Sequence, residues 1–379
     1  MGWGRICYNA ELNPNLSKGP FMPIKREMMV RREALAQIAI NETIAPEPKD
    51  GEVLLEIEAF ALTANNVTYA VVGETVKYWN FFPAAEGWGI VPVWGHARVT
   101  ASRHPEISIG ERVYGYLPMA THLIVQPGKV SAGLFRDMAE HRQPMATVYN
   151  QYKRLAADPS HDPAREDARM LFEPLFLTSF LIEDQLRRAD WQGASNMILT
   201  SASSKTAMGL AHVARAISPG ITRIGLTSSG NATFVEGTGL YDRVATYDAL
   251  DELEIGGKAV VVDFAGNAQL LADLAVRLGE QLAYLLKVGV THHDEGEAVP
   301  TSGPKPVWFF APDAAAALIA AHGPEAFQAG VAARWSGFVA DADGWVTVDT
   351  RRGSEALQQV WRDQVAGRAK PDVGYVMRW

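Results

Sequence analysis

Residues 197–209 combine side chains whose types and spacing suit phosphate chemistry. The segment begins with apolar residues, continues as Ser-Ala-Ser-Ser-Lys-Thr at 201–206, and ends in small residues typical of a helix. The pyrophosphate of a dinucleotide binds where a tight turn lets backbone N–H groups at a helix N-terminus approach it. Ser201, Ser204 and Ala207 stand where glycines usually form that turn. The segment predicts a phosphate-binding turn, and an ordinary strand–helix turn is the alternative.

The Ser-Lys-Thr sequence at 204–206 also matches the end of a nucleotide-triphosphate loop. That loop requires Gly immediately before the Lys and another Gly five residues earlier. This chain has Ser204 and Leu199 at those positions, so the dinucleotide interpretation is favoured. The predicted cofactor contacts in the turn are Ser201, Ser203, Ser204, Lys205 and Thr206.

The residues after the second predicted strand indicate which dinucleotide binds. NAD is held by an acidic residue that accepts the ribose hydroxyls, whereas the 2′-phosphate of NADP requires donors and no acid. Ser228, Ser229 and Asn231 follow this strand without an Asp or Glu among them. Lys205 and Arg223 are the nearby cations. We therefore predict NADPH as the cofactor.

Aromatic residues in the first third of the chain predict the kind of substrate. Apolar pockets with a few polar groups suit hydrophobic carbonyl compounds and enones. For each aromatic residue, packing in an interdomain core is the alternative. The predicted substrate contacts are Tyr78, Trp79, Phe81, Phe82 and Trp88. Tyr69 is the predicted proton donor, and the sequence leaves Tyr149, Tyr152, His96 and Lys77 as rivals.

Composition argues against several classes of function. The chain has 379 residues, 47% of them hydrophobic, and a formal net charge of −8. It can bury the core of two domains, and it lacks the clustered Lys and Arg of a nucleic-acid binder. Its single cysteine, Cys7, permits no internal disulfide, as in proteins of reducing compartments. Because neither a signal peptide nor an apolar run of ~20 residues is evident, we expect a soluble cytoplasmic protein.

Metal chemistry is not expected from this sequence. Cys-based zinc sites cannot be assembled from Cys7 alone. His292 and His293 are adjacent, and adjacent side chains on an extended segment point to opposite faces, which suits joint ligation poorly. We predict no metal site.

The elements that must position these residues fall into two groups. Between residues 51 and 127, short strands separated by turns predict a small barrel. From residue 196 onward, strands alternate with helices, which predicts a parallel sheet with helices on both faces. Residues 156–169 are polar and interrupted by proline, as in an exposed insertion or lid. A helix is predicted from residue 171 to 189.

Several motifs resemble one superfamily. They are Glu52-Val-Leu-Leu-Glu through Asn65-Asn66, Ile109-Gly-Glu-Arg-Val-Tyr-Gly115, His122-Leu-Ile-Val-Gln-Pro127, Pro174-Leu-Phe-Leu-Thr178-Ser179 and Val262-Asp-Phe-Ala-Gly266. Together they resemble the zinc-independent, quinone-oxidoreductase-like branch of the medium-chain dehydrogenase/reductases. More narrowly, the chain resembles a diverged bacterial group with the Ser-Ala-Ser-Ser-Lys-Thr turn. The lost glycines of the turn and a poorly matching stretch of 50 residues at the N-terminus depart from the superfamily pattern.

The resemblance implies an α/β fold with a GroES-like β-barrel domain and a Rossmann-type doubly wound parallel sheet. The barrel domain would span residues 1–175, with an insertion at about 131–170 and closing elements from about 335 to 379. The Rossmann domain would span residues 176–334. Asn65 would contact the substrate or the nicotinamide ribose. Further cofactor contacts that the resemblance implies are Thr178, Phe264, Gly266, Val288 and Gly289.

The prediction is an NADPH-dependent, metal-free oxidoreductase that reduces a hydrophobic carbonyl, quinone or activated alkene by hydride transfer. The altered turn leaves two alternatives open: a dinucleotide-binding sensor or scaffold without turnover, and a fold relative that has lost nucleotide binding. The resemblance also implies a homodimer, in which residues 306–310 pair as an edge strand across a two-fold axis. The alternative places the aromatic residues of this strand in the core of the monomer.

Overall fold

The first part of the chain consists mostly of short strands. The computed structural model describes residues 23–288 and 303–379. The elements are β1 (Ile24–Arg31), β2 (Ala34–Ile44), β3 (Val53–Leu62), α1 (Ala64–Val71), β4 (Trp88–Gly89), β5 (Pro92–Ser102), β6 (Arg112–Pro118), β7 (His122–Val125), β8 (Pro127–Gly128), β9 (Leu134–Asp137), β10 (Gln151–Arg154) and α2 (Glu166–Arg188). Alternation of apolar and polar residues forms these strands: in β3, Leu55 and Ile57 are buried and Glu56 between them is exposed.

The second part alternates strands and helices. The elements are β11 (Asn196–Thr200), α3 (Lys205–Ile217), β12 (Thr222–Thr227), α4 (Ala232–Gly237), β13 (Arg243–Thr246), β14 (Ala259–Asp263), α5 (Ala268–Leu278), β15 (Leu282–Lys287), β16 (Val307–Trp308), α6 (Ala311–His322), α7 (Pro324–Ala342), β17 (Thr347–Arg352), α8 (Gly353–Val365) and β18 (Val373–Arg378). Every residue of β11 and of β14 is buried, as expected for central strands of a sheet covered on both faces.

The barrel is formed by a sheet that joins β3 and later strands of the first part of the chain to the two C-terminal strands. Its strand order is β17-β18-β3-β5-β6-β10-β9-β8, and β7 also pairs with β3. A smaller sheet has the order β2-β1-β4. Because β18 pairs antiparallel with β3, Tyr375 lies opposite Leu62, at the end of β3 and just before α1. The C-terminal strand therefore lies beside the start of α1.

Part of the segment predicted as an insertion belongs to the barrel sheet. The strand β10 pairs with β6 and with β9, and the rings of Phe135 and Tyr152 stack in the core with their centroids 5.3 Å apart. The expectation of an exposed lid over 156–169 is wrong at its end, because α2 already begins at Glu166 and Arg169 is only 3% exposed. The sequence pattern did not predict this burial, because these polar residues are buried as ion pairs, which are described below.

Helix α2 connects the barrel to the second sheet. It contains Pro174, which removes one backbone donor from the helix interior, and it packs against β3, β18 and α3. At its middle, the hydroxyl of Ser179 donates to the carbonyl of Thr206 over 2.8 Å. Gly209 of α3 permits this approach, since a Cβ there would lie 2.7 Å from the Ser179 hydroxyl. Among the described residues, no helix is long and apolar enough to cross a membrane.

The second sheet is parallel and doubly wound, which confirms the predicted fold class. In the described part of the chain its order is β13-β12-β11-β14-β15-β16, and all its pairs are parallel. The chain runs from β11 outward to β13 and then returns to the other side of β11 at β14. The strand order therefore reverses between β11 and β14, and ligands of such sheets bind outside the carboxyl ends of the strands at that point.

The predicted edge strand lies at the edge of this sheet. Among the strands that the structure describes, β16 pairs with β15 alone. Val307, Trp308 and Phe310 are 40%, 60% and 39% exposed, whereas Phe309 is buried. The alternative that placed all these aromatics in the core of the monomer is therefore wrong for Trp308 and Phe310.

Candidate active site

The turn after β11 has the conformation of a glycine turn without its glycines. Ser201 adopts a left-handed backbone with φ of +49°, a region that glycine occupies most easily. Ser204 caps α3, and its hydroxyl accepts from the backbone N–H of Ala207 over 3.2 Å. The first amides of an α-helix lack partners within the helix, and in α3 these belong to Lys205 and Thr206. The turn therefore presents a helix N-terminus at the point where the strand order reverses.

Two tyrosine hydroxyls form hydrogen bonds with the backbone of this turn. The backbone N–H of Ser201 donates to the hydroxyl of Tyr247 over 2.9 Å. Beneath the turn, the hydroxyl of Tyr241 donates to the carbonyl of Ala202 over 2.7 Å. Sequence reasoning missed both tyrosines, because they are more than 35 residues from the turn. Both tyrosines hold the turn in place. The Tyr247 hydroxyl also occupies one backbone amide of the turn, that of Ser201.

The side chain of Lys205 extends from the turn to the barrel sheet. Its ammonium group donates to the carbonyl of Val373 over 2.9 Å and to that of Pro371 over 3.4 Å. Burial lowers the pKa of Lys205 to about 8, and the nearby Asp372 carboxylate offsets part of this effect. The phosphate contact stays a prediction; in the structure two carbonyls at the start of β18 accept from the ammonium group, which joins α3 to the barrel sheet.

The predicted ribose-phosphate site follows β12. Ser228 and Ser229 are exposed, and the amide of Asn231 donates to the hydroxyl of Ser203 over 3.2 Å. That contact joins the loops after β11 and β12. Arg223 is not available to a phosphate here, because its guanidinium pairs with Asp242 over 2.6 Å. The donors that remain in this loop are therefore hydroxyls and an amide.

The loop after β14 is folded around a buried carboxylate. The Thr200 hydroxyl donates to Asp263 over 2.6 Å, and the N–H of Gly266 donates to the same carboxylate over 3.2 Å. Burial raises the pKa of Asp263, and these hydrogen bonds offset part of that effect. The N–H of Phe264 donates to the Thr200 hydroxyl over 2.9 Å. Sequence reasoning named Phe264 and Gly266 but missed the Thr200–Asp263 pair that positions them.

Three further predicted cofactor contacts have different outcomes. Val288 follows β15 and donates its N–H to the carbonyl of Asp263 over 2.8 Å, so it lies at the same edge of the sheet. Gly289 lies outside the described residues. Thr178 lies within α2, where its hydroxyl donates to the carbonyl of Pro174 over 3.1 Å.

Asn65 and Tyr69 lie one turn apart on α1, at the junction of the two sheets. Asn65 lines a cavity of about 10 Å³ together with Trp94 and residues of α2, among them Leu171 and Pro174. The Trp94 indole donates to the Tyr69 hydroxyl over 3.4 Å. Burial raises the pKa of Tyr69, and the hydrogen bond from Trp94 lowers it in part. The structure thus brings together the two residues predicted to be catalytic.

Four tyrosines pack together behind Asn65, and we name Tyr69, Tyr78, Tyr116 and Tyr149 the tyrosine cluster. The ring centroids of Tyr69 and Tyr78 are 4.8 Å apart, as are those of Tyr116 and Tyr149. The hydroxyls of Tyr78 and Tyr149 are 3.0 Å apart and share a hydrogen bond. Burial raises the pKa of each phenol, so all four are proton-bearing donors at neutral pH. Tyr149, a rival in the sequence analysis, reaches this cluster from the segment predicted as an insertion.

None of the five predicted substrate contacts lines the small cavity. Trp79 is 3% exposed, and a Cβ at Gly73 or Gly89 would lie 2.3 Å from its ring. Trp79 is therefore a core residue packed against glycines. Trp88 is half-buried, and the guanidinium of Arg31 lies 5.5 Å from its ring centroid. Of the five predicted contacts, Tyr78 alone belongs to the tyrosine cluster.

Phe81 and Phe82 line a different cavity, of about 210 Å³, which is also lined by residues of β1 and β7. The guanidinium of Arg142 lies 5.5 and 5.2 Å from their ring centroids. Arg142 is 1% exposed and pairs with Asp137 over 3.0 Å. Phe81 also touches the ring of Tyr116, at 5.0 Å between centroids. The two phenylalanines therefore support the tyrosine cluster from behind.

The three other rivals for the proton donor lie at three different places in the structure. The hydroxyl of Tyr152 donates to the carbonyl of Tyr116 over 2.8 Å and is inside the barrel. His96 is 1% exposed, and burial lowers its pKa to about 4, so it is neutral. Lys77 is exposed, in a left-handed conformation with φ of +64°. None of these three lines the cavity beside Asn65. Tyr69 does not line it either, but its hydroxyl accepts from Trp94, which does.

Among the described residues, no group of three or more His, Cys, Asp or Glu side chains could hold a metal ion. Cys7, His292 and His293, on which the zinc argument depended, lie outside those residues. The metal-free mechanism therefore stays a prediction.

A protein family described as a protein of unknown function, DUF2855, matches residues 60–370 of the chain. The chain belongs to the DUF2855 family. The match begins near the end of β3 and ends just before β18, so it includes the turn and the candidate active site. No curated protein matches this DUF2855 chain.

Solved structures similar to this DUF2855 protein share its whole fold. CurA from Vibrio vulnificus is 14% identical with a TM-score of 0.62, over 93% of this chain and 98% of CurA. A structure of CurA in complex with NADPH is 15% identical, with the same TM-score and coverage. A complex of Etr1p with NADP and crotonyl-CoA is 12% identical with a TM-score of 0.57, over 94% of this chain and all of Etr1p. The resemblance to the medium-chain dehydrogenase/reductases, with a GroES-like barrel and a Rossmann-type sheet, is thereby confirmed at the level of fold.

Proposed function

We propose that this protein is an NADPH-dependent reductase of a small hydrophobic carbonyl compound, quinone or activated alkene. One observation carries the proposal: the strand β18 connects the turn after β11 to the start of α1, which carries Asn65 and Tyr69. Lys205, the first residue of α3, bonds to the carbonyl of Val373. Val373 begins β18, whose Tyr375 pairs with Leu62, three residues before Asn65. A dinucleotide bound at the turn would therefore have the candidate active site beside it.

The residues at the turn fit a dinucleotide. Ser201 supplies the left-handed turn, and the N-terminal amides of α3 suit the pyrophosphate. The exposed hydroxyls of Ser228 and Ser229 and the amide of Asn231 would hold the ribose phosphate, with no acid to repel it. NADP and NADPH complexes among the structurally similar proteins support this choice.

The roles of the side chains follow from their positions. NADPH, when bound, supplies a hydride. Tyr69, a phenol whose pKa burial raises, is protonated at neutral pH and donates the proton that completes the reduction. Asn65 orients the substrate through its amide, and the apolar side chains of Leu171 and Pro174 keep water from the cavity. The apolar lining supports a hydrophobic substrate. This mechanism requires no metal ion, and the exposed β16 supports a homodimer.

Steady-state kinetics test the proposal directly. Oxidation of NADPH should be measured against a panel of enones, quinones and aldehydes, with and without Tyr69→Phe. We expect turnover with at least one class, and a loss of about 100-fold in kcat for Tyr69→Phe because a positioned general acid contributes on that order. Tyr284→Phe, on β15 and outside the tyrosine cluster, is the control and should retain kcat. An unchanged kcat in Tyr69→Phe would reassign the proton donor.

The small size of the cavity favours a second candidate function. At about 10 Å³ it holds no substrate as it stands, which suits a dinucleotide-binding sensor or scaffold without turnover. Tight NADPH binding without oxidation across the whole panel would support that candidate. Absence of binding would instead support a fold relative that has lost nucleotide binding.

A further inference from the structure

Trp94 connects the small cavity to the predicted proton donor. It lines the cavity with Asn65, and its indole N–H donates to the Tyr69 hydroxyl over 3.4 Å. An indole N–H can only donate, so the Tyr69 oxygen is the acceptor in this contact. The proton of Tyr69 is therefore directed to a different acceptor.

A stack of side chains fixes the orientation of Trp94. Its ring stacks on Tyr114 with centroids 5.7 Å apart and an interplanar angle of 25°. The guanidinium of Arg169 lies 4.5 Å from the Tyr114 ring centroid. Arg169 is itself held by Asp158 over 2.5 Å and by Glu173 over 2.6 Å. The first turns of α2 thus hold the indole through buried charges.

We propose that Trp94 is a positioning residue that makes Tyr69 a better acid, an inference that rests on the proposed reductase function. When Tyr69 gives up its proton, its O–H bond breaks, the proton passes to the reduced substrate, and the electron pair stays on the phenolate oxygen. A hydrogen bond to a charged acceptor is stronger than one to a neutral acceptor. The Trp94 N–H therefore stabilises the phenolate more than the phenol, and it offsets part of the cost of burying that charge.

Trp94→Phe tests this role, because it removes the N–H and keeps an aromatic ring on Tyr114. We expect kcat to fall about tenfold, KM to change less than kcat, and the solvent deuterium isotope effect on kcat to increase as proton transfer becomes slower. Trp379→Phe is the control: that buried indole nitrogen has no hydrogen-bond partner within 23–288 and 303–379, so kcat should be retained. An unchanged kcat in Trp94→Phe, or a loss without a change in the isotope effect, would overturn the proposal.

A second measurement does not depend on turnover. In ¹⁵N-labelled protein, Trp94→Phe identifies the indole resonance of Trp94. We expect Tyr69→Phe to move this resonance upfield and to speed its exchange with solvent, because the acceptor is lost. An unchanged resonance would overturn the Trp94 proposal even if the enzyme is active. A moved resonance in a protein without turnover would reject the reductase proposal, and with it the acid role of Tyr69, and would leave only the hydrogen bond from Trp94 to Tyr69.

Discussion

The ammonium group of Lys205 lies 2.9 Å from the carbonyl oxygen of Val373. The contact joins the first residue of α3 to the strand β18 of the barrel sheet. A cation at a helix N-terminus is disfavoured by the helix dipole, and burial lowers the pKa of Lys205 to about 8. The protonation of this one lysine is therefore coupled to the stability of the fold.

We expect the stability of the protein to respond to Lys205 between pH 8 and pH 10.5. The pKa is about 8 in the folded chain and 10.5 for an ordinary lysine. In this window the unfolded chain binds more protons than the folded chain, so the free energy of unfolding rises with pH. Urea denaturation at pH 7, 8, 9 and 10 should show a steeper rise for the wild type than for Lys205→Met. Parallel pH profiles for the two proteins would show that the lysine is not held in this environment.

The left-handed conformation of Ser201 predicts how the turn tolerates substitution. Ser201→Gly should leave stability within about 1 kcal/mol and keep dinucleotide affinity, because glycine adopts this conformation easily. Ser201→Val should have a free energy of unfolding about 1–2 kcal/mol below that of Ser201→Gly, the cost of a side chain in this region. Ser203→Val, at a neighbouring position without a positive φ, is the control. If calorimetry shows equal stability for Ser201→Gly and Ser201→Val, the turn does not have this conformation in solution.

Sequence pattern predicted the architecture because periodicity and turn residues are local signals. The buried strand β11 and the small residues of α3 lie within 22 residues of each other, and they alone predicted a turn at the edge of a parallel sheet. The strand β16 could also be predicted from the sequence, because a short apolar run followed by the start of a helix is typical of a strand. Local pattern thus indicated the turn, whereas Asn65 was predicted from the resemblance to the superfamily.

The partners of individual side chains were not predictable in this way. Lys205 bonds to carbonyls 166 and 168 residues away, and no local pattern predicts such a contact. Phe81 and Phe82 looked like substrate contacts, but burial and a buried arginine set their role. Tyr149 enters the tyrosine cluster through pairing of β10 with β6, which polar composition concealed.

The exposed edge strand β16 predicts that the protein forms a homodimer. A partner that pairs with β16 would cover Trp308, which is 60% exposed beside the ammonium group of Lys287. We expect light scattering to report a dimer at micromolar concentration and Trp308→Glu to split it into folded monomers. Val276→Glu, at a 73% exposed position on α5, is the matched control and should leave the dimer intact. A wild-type monomer at this concentration would contradict the proposed dimer.

The metal-free mechanism predicts that chelators do not change the activity of the enzyme. If NADPH and Tyr69 carry the reduction, EDTA and 1,10-phenanthroline should leave kcat unchanged after overnight dialysis. Elemental analysis of the purified protein checks the same point independently. Stoichiometric zinc whose removal abolishes turnover would contradict this mechanism.

The central claim is tested most directly by isothermal titration calorimetry with NADPH and NADH. We expect NADPH to bind with a Kd in the micromolar range or tighter, and NADH to bind more weakly, because Ser228, Ser229 and Asn231 offer donors where an acid would exclude a phosphate. Ser228→Asp should reverse this order, since the new carboxylate would repel the 2′-phosphate. Tighter binding of NADH by the wild type, or no heat of binding with either dinucleotide, would contradict the proposed site.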